Sequence, residues 1–240
     1  MHIIAHRGRL GDGYENSISS LAMLGEDVDG VEVDVRLTAD KVPVLLHDKE
    51  LENGLEHVGM IHELTLEDVS RYSSRRQDAV PTLDRYLEAC DKRKIPRIFL
   101  DIKVVDEPSV TIIAEQLKCK KYLDKITCLT KTEEVLQVLC SFLPDAKKGM
   151  LRTNKDNIDE RLPLVERYGV DILFVQHGDA AYLKNRDIVS GIKQSGCSVG
   201  ASILNKENSI LLALQDGCDV VLTDHSDIYK NSVNHFLGLA

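Results

Sequence analysis

The feature that most constrains this chain is a strict alternation of short β-branched runs with longer amphipathic stretches. The runs are His2–His6, Gly30–Val35, Arg97–Ile102, Ile126–Thr130, Lys147–Leu151, Ile172–Gln176, Ser198–Ile203 and Asp219–Thr223. The helical stretches are Asn16–Glu26, Thr82–Arg93, Ser109–Lys120, Thr132–Phe142, Asp159–Tyr168, Ala180–Gln194, Lys206–Gln215 and Asp227–Leu237. Such alternation implies a parallel sheet with crossover helices. Eight pairs within 240 residues predict an α/β fold closed as a (β/α)₈ TIM barrel, read as one domain over 1–240. No Gly-x-Gly-x-x-Gly follows the first run, which argues against a dinucleotide-binding sheet. With no Trp, seven Tyr and four Phe, the core must be filled by Leu, Ile and Val.

Local signals place the helix starts. Asn16 is expected to cap the first helix and Thr82 the second, while Thr132 offers a cap without the reciprocal Glu. One segment breaks the rhythm. Arg36–Pro81 is far longer than a βα loop needs. It opens with two apolar runs flanking Asp40-Lys41, too close together to hold a helix, which predicts a hairpin returning over the barrel. A turn centred on Asp40-Lys41 brings His47 opposite Asp34, at the C-terminal mouth. Residues 48–80 then form a small charged insertion beside that mouth.

Active sites of this architecture lie at the C-terminal strand ends. Those ends carry His6-Arg7-Gly8, then Glu32 and Asp34, His47-Asp48, and Asp101-Ile102-Lys103. Glu32 and Asp34 are two apart, so both face one side of a strand, where their charges repel unless neutralised. A hard divalent cation solves this, with Asp101 as third carboxylate. The simpler alternative is pairing with Arg36 or a rim lysine. His6 and His47 suit acid/base work because imidazole titrates near neutral pH. Arg7 and Lys103 offer fixed charge to a phosphate. Three carboxylates, one dication and these two cations leave the mouth near +1, although the whole chain carries −9. That balance suits a phosphodiester monoanion, while the acidic exterior disfavours nucleic acid and anionic membranes as partners.

The six cysteines show neither C-x-x-C spacing nor a zinc pattern, as expected in a reducing compartment. No signal peptide or membrane-length apolar run is visible, so a cytoplasmic protein is expected.

The ordered set Ala5-His6-Arg7-Gly8, Glu15-Asn16-Ser17, Val31-Glu32-Val33-Asp34-Val35, Thr38-Ala39-Asp40, Pro43-Val44-Leu45-Leu46-His47-Asp48, Val80-Pro81-Thr82-Leu83, Asp101-Ile102-Lys103 and Leu222-Thr223-Asp224 resembles the glycerophosphodiester phosphodiesterase family. The resemblance implies hydrolysis of glycerophosphodiesters to an alcohol and glycerol 3-phosphate with Mg²⁺ or Ca²⁺. It implies catalytic roles for His6 and His47, metal ligation by Glu32, Asp34 and Asp101, and phosphate contact by Arg7 and Lys103. Asp101 stands where the family usually has Glu. Ala201-Ser202-Ile203-Leu204-Asn205 stands where a Trp-Thr-Val-Asn-like run is usual, which implies a pocket short of one bulky wall. Two alternatives remain at this level: a lyase-type phospholipase D relative that leaves a cyclic phosphate, and a barrel that binds phosphorylated ligands without turnover.

Overall fold

The computed structural model describes residues 1–11, 14–25, 28–53, 56–73, 79–154, 157–176, 186–236 and 238. Its barrel strands are β1 (His2–Ala5), β2 (Val31–Leu37), β6 (Ile98–Ile102), β7 (Ile126–Thr130), β8 (Lys147–Thr153), β9 (Ile172–Gln176), β10 (Ser198–Ser202) and β11 (Val220–Thr223). All pair in parallel, and the ring closes where β1 meets β11 on one side and β2 on the other. The expected TIM barrel is therefore observed. Helices α1 (Ile18–Met23), α3 (Leu83–Lys92), α4 (Glu107–Lys118), α5 (Glu133–Phe142), α6 (Ile158–Tyr168), α7 (Arg186–Gln194), α8 (Glu207–Gln215) and α9 (Ser226–Phe236) fall within the predicted stretches to within about two residues. Residues 180–185 of the sixth predicted helix lie outside the described set.

Alternation along each strand sorts the core into layers. Ile4, Phe99, Leu129, Leu151, Ile172, Phe174, Val220 and Leu222 fill the barrel interior. Phe99 and Phe174 meet edge-to-face with centroids 5.8 Å apart, a favoured aromatic geometry. Val31, Val33 and Val35 face outward against the helices. Gly200 makes the interior fit, because a Cβ there would lie 2.4 Å from the Phe174 ring. Gly200→Ala is expected to cost about 1–3 kcal/mol by overpacking, read as a lowered urea midpoint.

The predicted hairpin forms, with β3 (Pro43–Leu45) antiparallel to β2. Its register differs from the expected one by a residue. Val35 pairs with Leu45, and the Leu46 amide donates to the Asp34 carbonyl at 3.1 Å, so Leu46 rather than His47 lies opposite Asp34. The cause is a turn of odd length. Thr38 and Val42 close it, and Lys41 sits in the left-handed region at φ 65°. His47 lies beyond the paired strand, where Arg36 donates to its carbonyl from Nε at 3.1 Å and Nη2 at 2.7 Å. The insertion holds strands β4 (Glu50–Asn53) and β5 (Glu56–Met60) and helix α2 (Leu66–Ser73), none of which was anticipated. Val44, Leu51, Ile61 and Val69 give it a small core of its own.

The capping assignments need one correction. Ser17, not Asn16, caps α1 by accepting from the Ser20 amide. Thr82 and Thr132 cap α3 and α5 as expected. All six cysteines are free thiols. Among the described residues, no helix is long and apolar enough to cross a membrane.

Candidate active site

The site is built at the mouth from the ends of β1, β2 and β6. His6-Arg7-Gly8 leaves β1 in a tight turn, with Arg7 at φ 54° and Gly8 at φ 59°. Gly8 is required twice over, since a Cβ there would also come within 2.3 Å of the Tyr86 hydroxyl. The Arg7 conformation is held by its own backbone: its amide donates to Glu32 Oε2 at 3.0 Å, and its carbonyl accepts from the Asn16 amide at 2.6 Å. Asn16 is drawn from the helix start to this task. Its amide nitrogen donates to Asp34 Oδ2 and its oxygen accepts from the Asp34 backbone, both at 2.9 Å.

Glu32, Asp34 and Asp101 are all buried, and one carboxylate oxygen of each lies within 4.8 Å of the others. Burial pushes the Glu32 carboxyl well above its usual range, and the Asp34 and Asp101 charges push the same way. The Lys103 ammonium lies 2.8 Å from Asp34 Oδ1 and also contacts Asp101 Oδ2. Burial opposes the Asp34 charge, but Lys103, the Asn16 bond and the His47 charge together hold the Asp34 carboxyl low. The rim-lysine alternative is thus realised for Asp34, by Lys103, whereas Arg36 turns to the His47 carbonyl. One lysine does not complete the cluster. Asp101 Oδ1 is buried with no hydrogen-bond partner. An orphaned carboxylate oxygen beside an all-oxygen donor set fits a hard divalent cation.

His6 is buried and its Nδ1 lies 2.8 Å from Asp224 Oδ1, with Nε2 3.9 Å from Glu32 Oε2. A carboxylate only accepts, so Nδ1 carries the proton and Nε2 is left facing the mouth. Asp224 also accepts from Arg9 Nε at 3.0 Å and Asn205 Nδ2 at 2.6 Å. Burial works against its charge, but the bonds from His6, Arg9 and Asn205 prevail and hold its carboxyl far below the ordinary range. His47 repeats the pattern in the open, its Nδ1 2.8 Å from Asp48 Oδ1. The two pairs differ in solvation: the Asp224 side chain is 12% exposed and that of Asp48 75%.

A cavity of about 220 Å³ joins all seven expected residues, His6, Arg7, Glu32, Asp34, His47, Asp101 and Lys103. Arg7 is engaged on one side by Glu15, with Nη1 2.6 Å from Oε2. The partners Asp224, Arg9, Asn205 and Glu15 have no role in the residue-by-residue reading, although Asp224 directly follows the last strand and could have been found there. Lys131 and Arg152 line the same cavity from the ends of β7 and β8 and were not anticipated either.

The sequence model of the glycerophosphoryl diester phosphodiesterase family matches residues 6–228. The chain belongs to this family. Glycerophosphodiester phosphodiesterase 1 of Homo sapiens is 28% identical over 165 residues, 65% of this chain and 46% of that protein. The chain thus spans less than half the length of that relative. Glycerophosphodiester phosphodiesterase of Bacillus altitudinis is 29% identical over 237 residues, 94% of this chain and 95% of that protein. An Oleispira antarctica phosphodiesterase, solved with its product sn-glycerol-3-phosphate, superposes with a TM-score of 0.85 at 23% identity, covering 98% of this chain and 97% of that one. That likeness shows the (β/α)₈ barrel fold for this chain.

Proposed function

We propose that this protein hydrolyses glycerophosphodiesters to an alcohol and glycerol 3-phosphate, with a divalent cation and two histidines. The observation that carries the reading is the convergence of Glu32, Asp34 and Asp101 around an unpartnered Asp101 oxygen, beside an imidazole whose Nε2 is left free. Glu32, Asp34 and Asp101 would hold the cation. When bound, Mg²⁺ or Ca²⁺ supplies charge neutralisation for the phosphoryl oxygens. Arg7 and Lys103 add fixed positive charge for the phosphate. His6 and His47 each keep Nδ1 toward a carboxylate and present Nε2. In that arrangement one removes a proton from the nucleophile and the other protonates the departing alkoxide. The residues 1–240 act here as one unit, with 48–80 shaping the mouth. Free cysteines throughout support a cytoplasmic location.

Purified protein should release glycerol 3-phosphate from glycerophosphocholine in the presence of Mg²⁺ or Ca²⁺. Treatment with a chelator should reduce the rate at least about a hundredfold, restored by adding metal back. Full activity after chelation would remove the cation from the reading. A cyclic phosphate product in place of glycerol 3-phosphate would move the chain to the lyase-type alternative.

A further inference from the structure

The side of the mouth away from β1 and β2 carries two cations that the reaction above does not use. Lys131 follows β7 and Arg152 lies near the end of β8, and both line the cavity that holds Glu32, Lys103 and His6. Each is fixed at its backbone. Arg161 donates from Nη2 to the Lys131 carbonyl at 2.7 Å, and Asn157 donates from Nδ2 to the Arg152 carbonyl at 3.0 Å. A bulge aims Arg152: Met150 pairs with Leu173 but Thr153 pairs with Val175, and Arg152 sits between them at φ 61°. Bulges beside sites commonly re-aim a side chain, and a left-handed arginine is a costly way to do so without a purpose.

Among the described residues, neither charge is neutralised locally. Arg152 has no carboxylate within 4.0 Å among the described residues. Among the described residues, Lys131 has only Asp101, at 3.9 Å and already shared with Lys103. Glu133, two residues further along the chain, turns away to Arg167 at 2.9 Å and Tyr168 at 3.0 Å. Lys103 and Arg152 each crowd Lys131 with like charge. A monoanionic diester at the carboxylate cluster leaves this side of the mouth positive.

We propose that Lys131 and Arg152 form a subsite for a second anion, so that the preferred substrates are phosphodiesters that also bear a terminal phosphomonoester. A phosphomonoester carries about −1.5 to −2 at neutral pH, and an arginine fork matches its oxygens. The inference rests on the phosphodiesterase reading and deepens it.

The test compares glycerophosphoglycerol with the same molecule phosphorylated at one terminal hydroxyl, in wild type and in K131Q/R152Q. Wild type should favour the phosphorylated diester by about tenfold or more in kcat/KM. In the double variant a raised KM should shrink that preference to about twofold. Calorimetry on the same two proteins, with glycerol 1,3-bisphosphate against glycerol 3-phosphate, reads the subsite without turnover. Wild type should bind the bisphosphate at least about tenfold more tightly, and the variant should lose that margin. Hydrolysis of both diesters without preference overturns the subsite and leaves the activity standing. Turnover of neither overturns the activity, and the calorimetric ratio then decides the subsite, equal affinities rejecting it. A preference that survives in the variant rejects it as well.

Discussion

Asp224→Asn is expected to lower kcat about a thousandfold while the barrel stays folded. The carboxylate accepts from His6, Arg9 and Asn205 together. An amide in its place must point one N–H₂ at a former donor. Arg9 has no acceptor to offer, and the Asn205 oxygen is already taken by the Asp224 amide at 2.9 Å and the Thr223 hydroxyl at 3.0 Å. Only the imidazole can turn acceptor. His6 Nδ1 would then lose its proton to Nε2, and the nitrogen facing the mouth would no longer take one. Loss of a positioned general acid or base costs about 10²–10⁴ in rate, and a wrong tautomer has cost about 10⁴ in a serine protease triad. Glycerol 3-phosphate release measures the rate, and nitrogen-15 NMR of the His6 ring reads the tautomer. A loss under tenfold would mean that His6 does not act through Nε2. Asp48→Asn is the contrast. That carboxylate stands in solvent, where water can replace it, so a loss of less than about tenfold is expected.

Glu32→Gln should separate activity from stability, with opposite signs. Glu32 is buried beside Asp34 and Asp101, and its carboxyl is raised by burial first and by their charges second. A carboxyl raised in the folded state opposes folding once pH exceeds its unfolded value, so the charged form weakens the metal-free protein at neutral pH. Glutamine removes that charge and keeps an oxygen to accept the Arg7 amide. The metal-free variant should gain on the order of 1 kcal/mol, or about 2–4 °C in Tm at this chain length. Its turnover should fall by about a hundredfold or more, because one of three anionic donors is gone. Calorimetric melting without metal and a metal titration of the rate check both halves. An unchanged metal titration would strike Glu32 from the donor set, and a lowered Tm would show that its charge is compensated in a way the cluster does not reveal.

The fold was legible because its signals are local and repeated. Short β-branched runs and amphipathic stretches recur eight times, and each repetition restrains the same parallel architecture. That the expected residues line one cavity was legible in part for the same reason, since strand-end position follows from strand boundaries, whereas His47 depended on the hairpin. The hairpin register slipped by one because a turn of three residues and a turn of two look alike until a lysine at φ 65° is seen. Asn16 was misassigned because its type suits a helix cap as well as it suits a buried bond to Asp34.

By itself, then, the sequence determined the barrel, the mouth and the residue types gathered there, because strand periodicity and chain order are properties of neighbours along the chain. Tertiary structure alone decided which side chains meet. Asp224 reaches His6 across 218 positions, Lys103 settles between Asp34 and Asp101, and Lys131 and Arg152 turn inward from β7 and β8. Those pairings depend on barrel closure and on competition between burial and charge, and no local pattern in the chain encodes either.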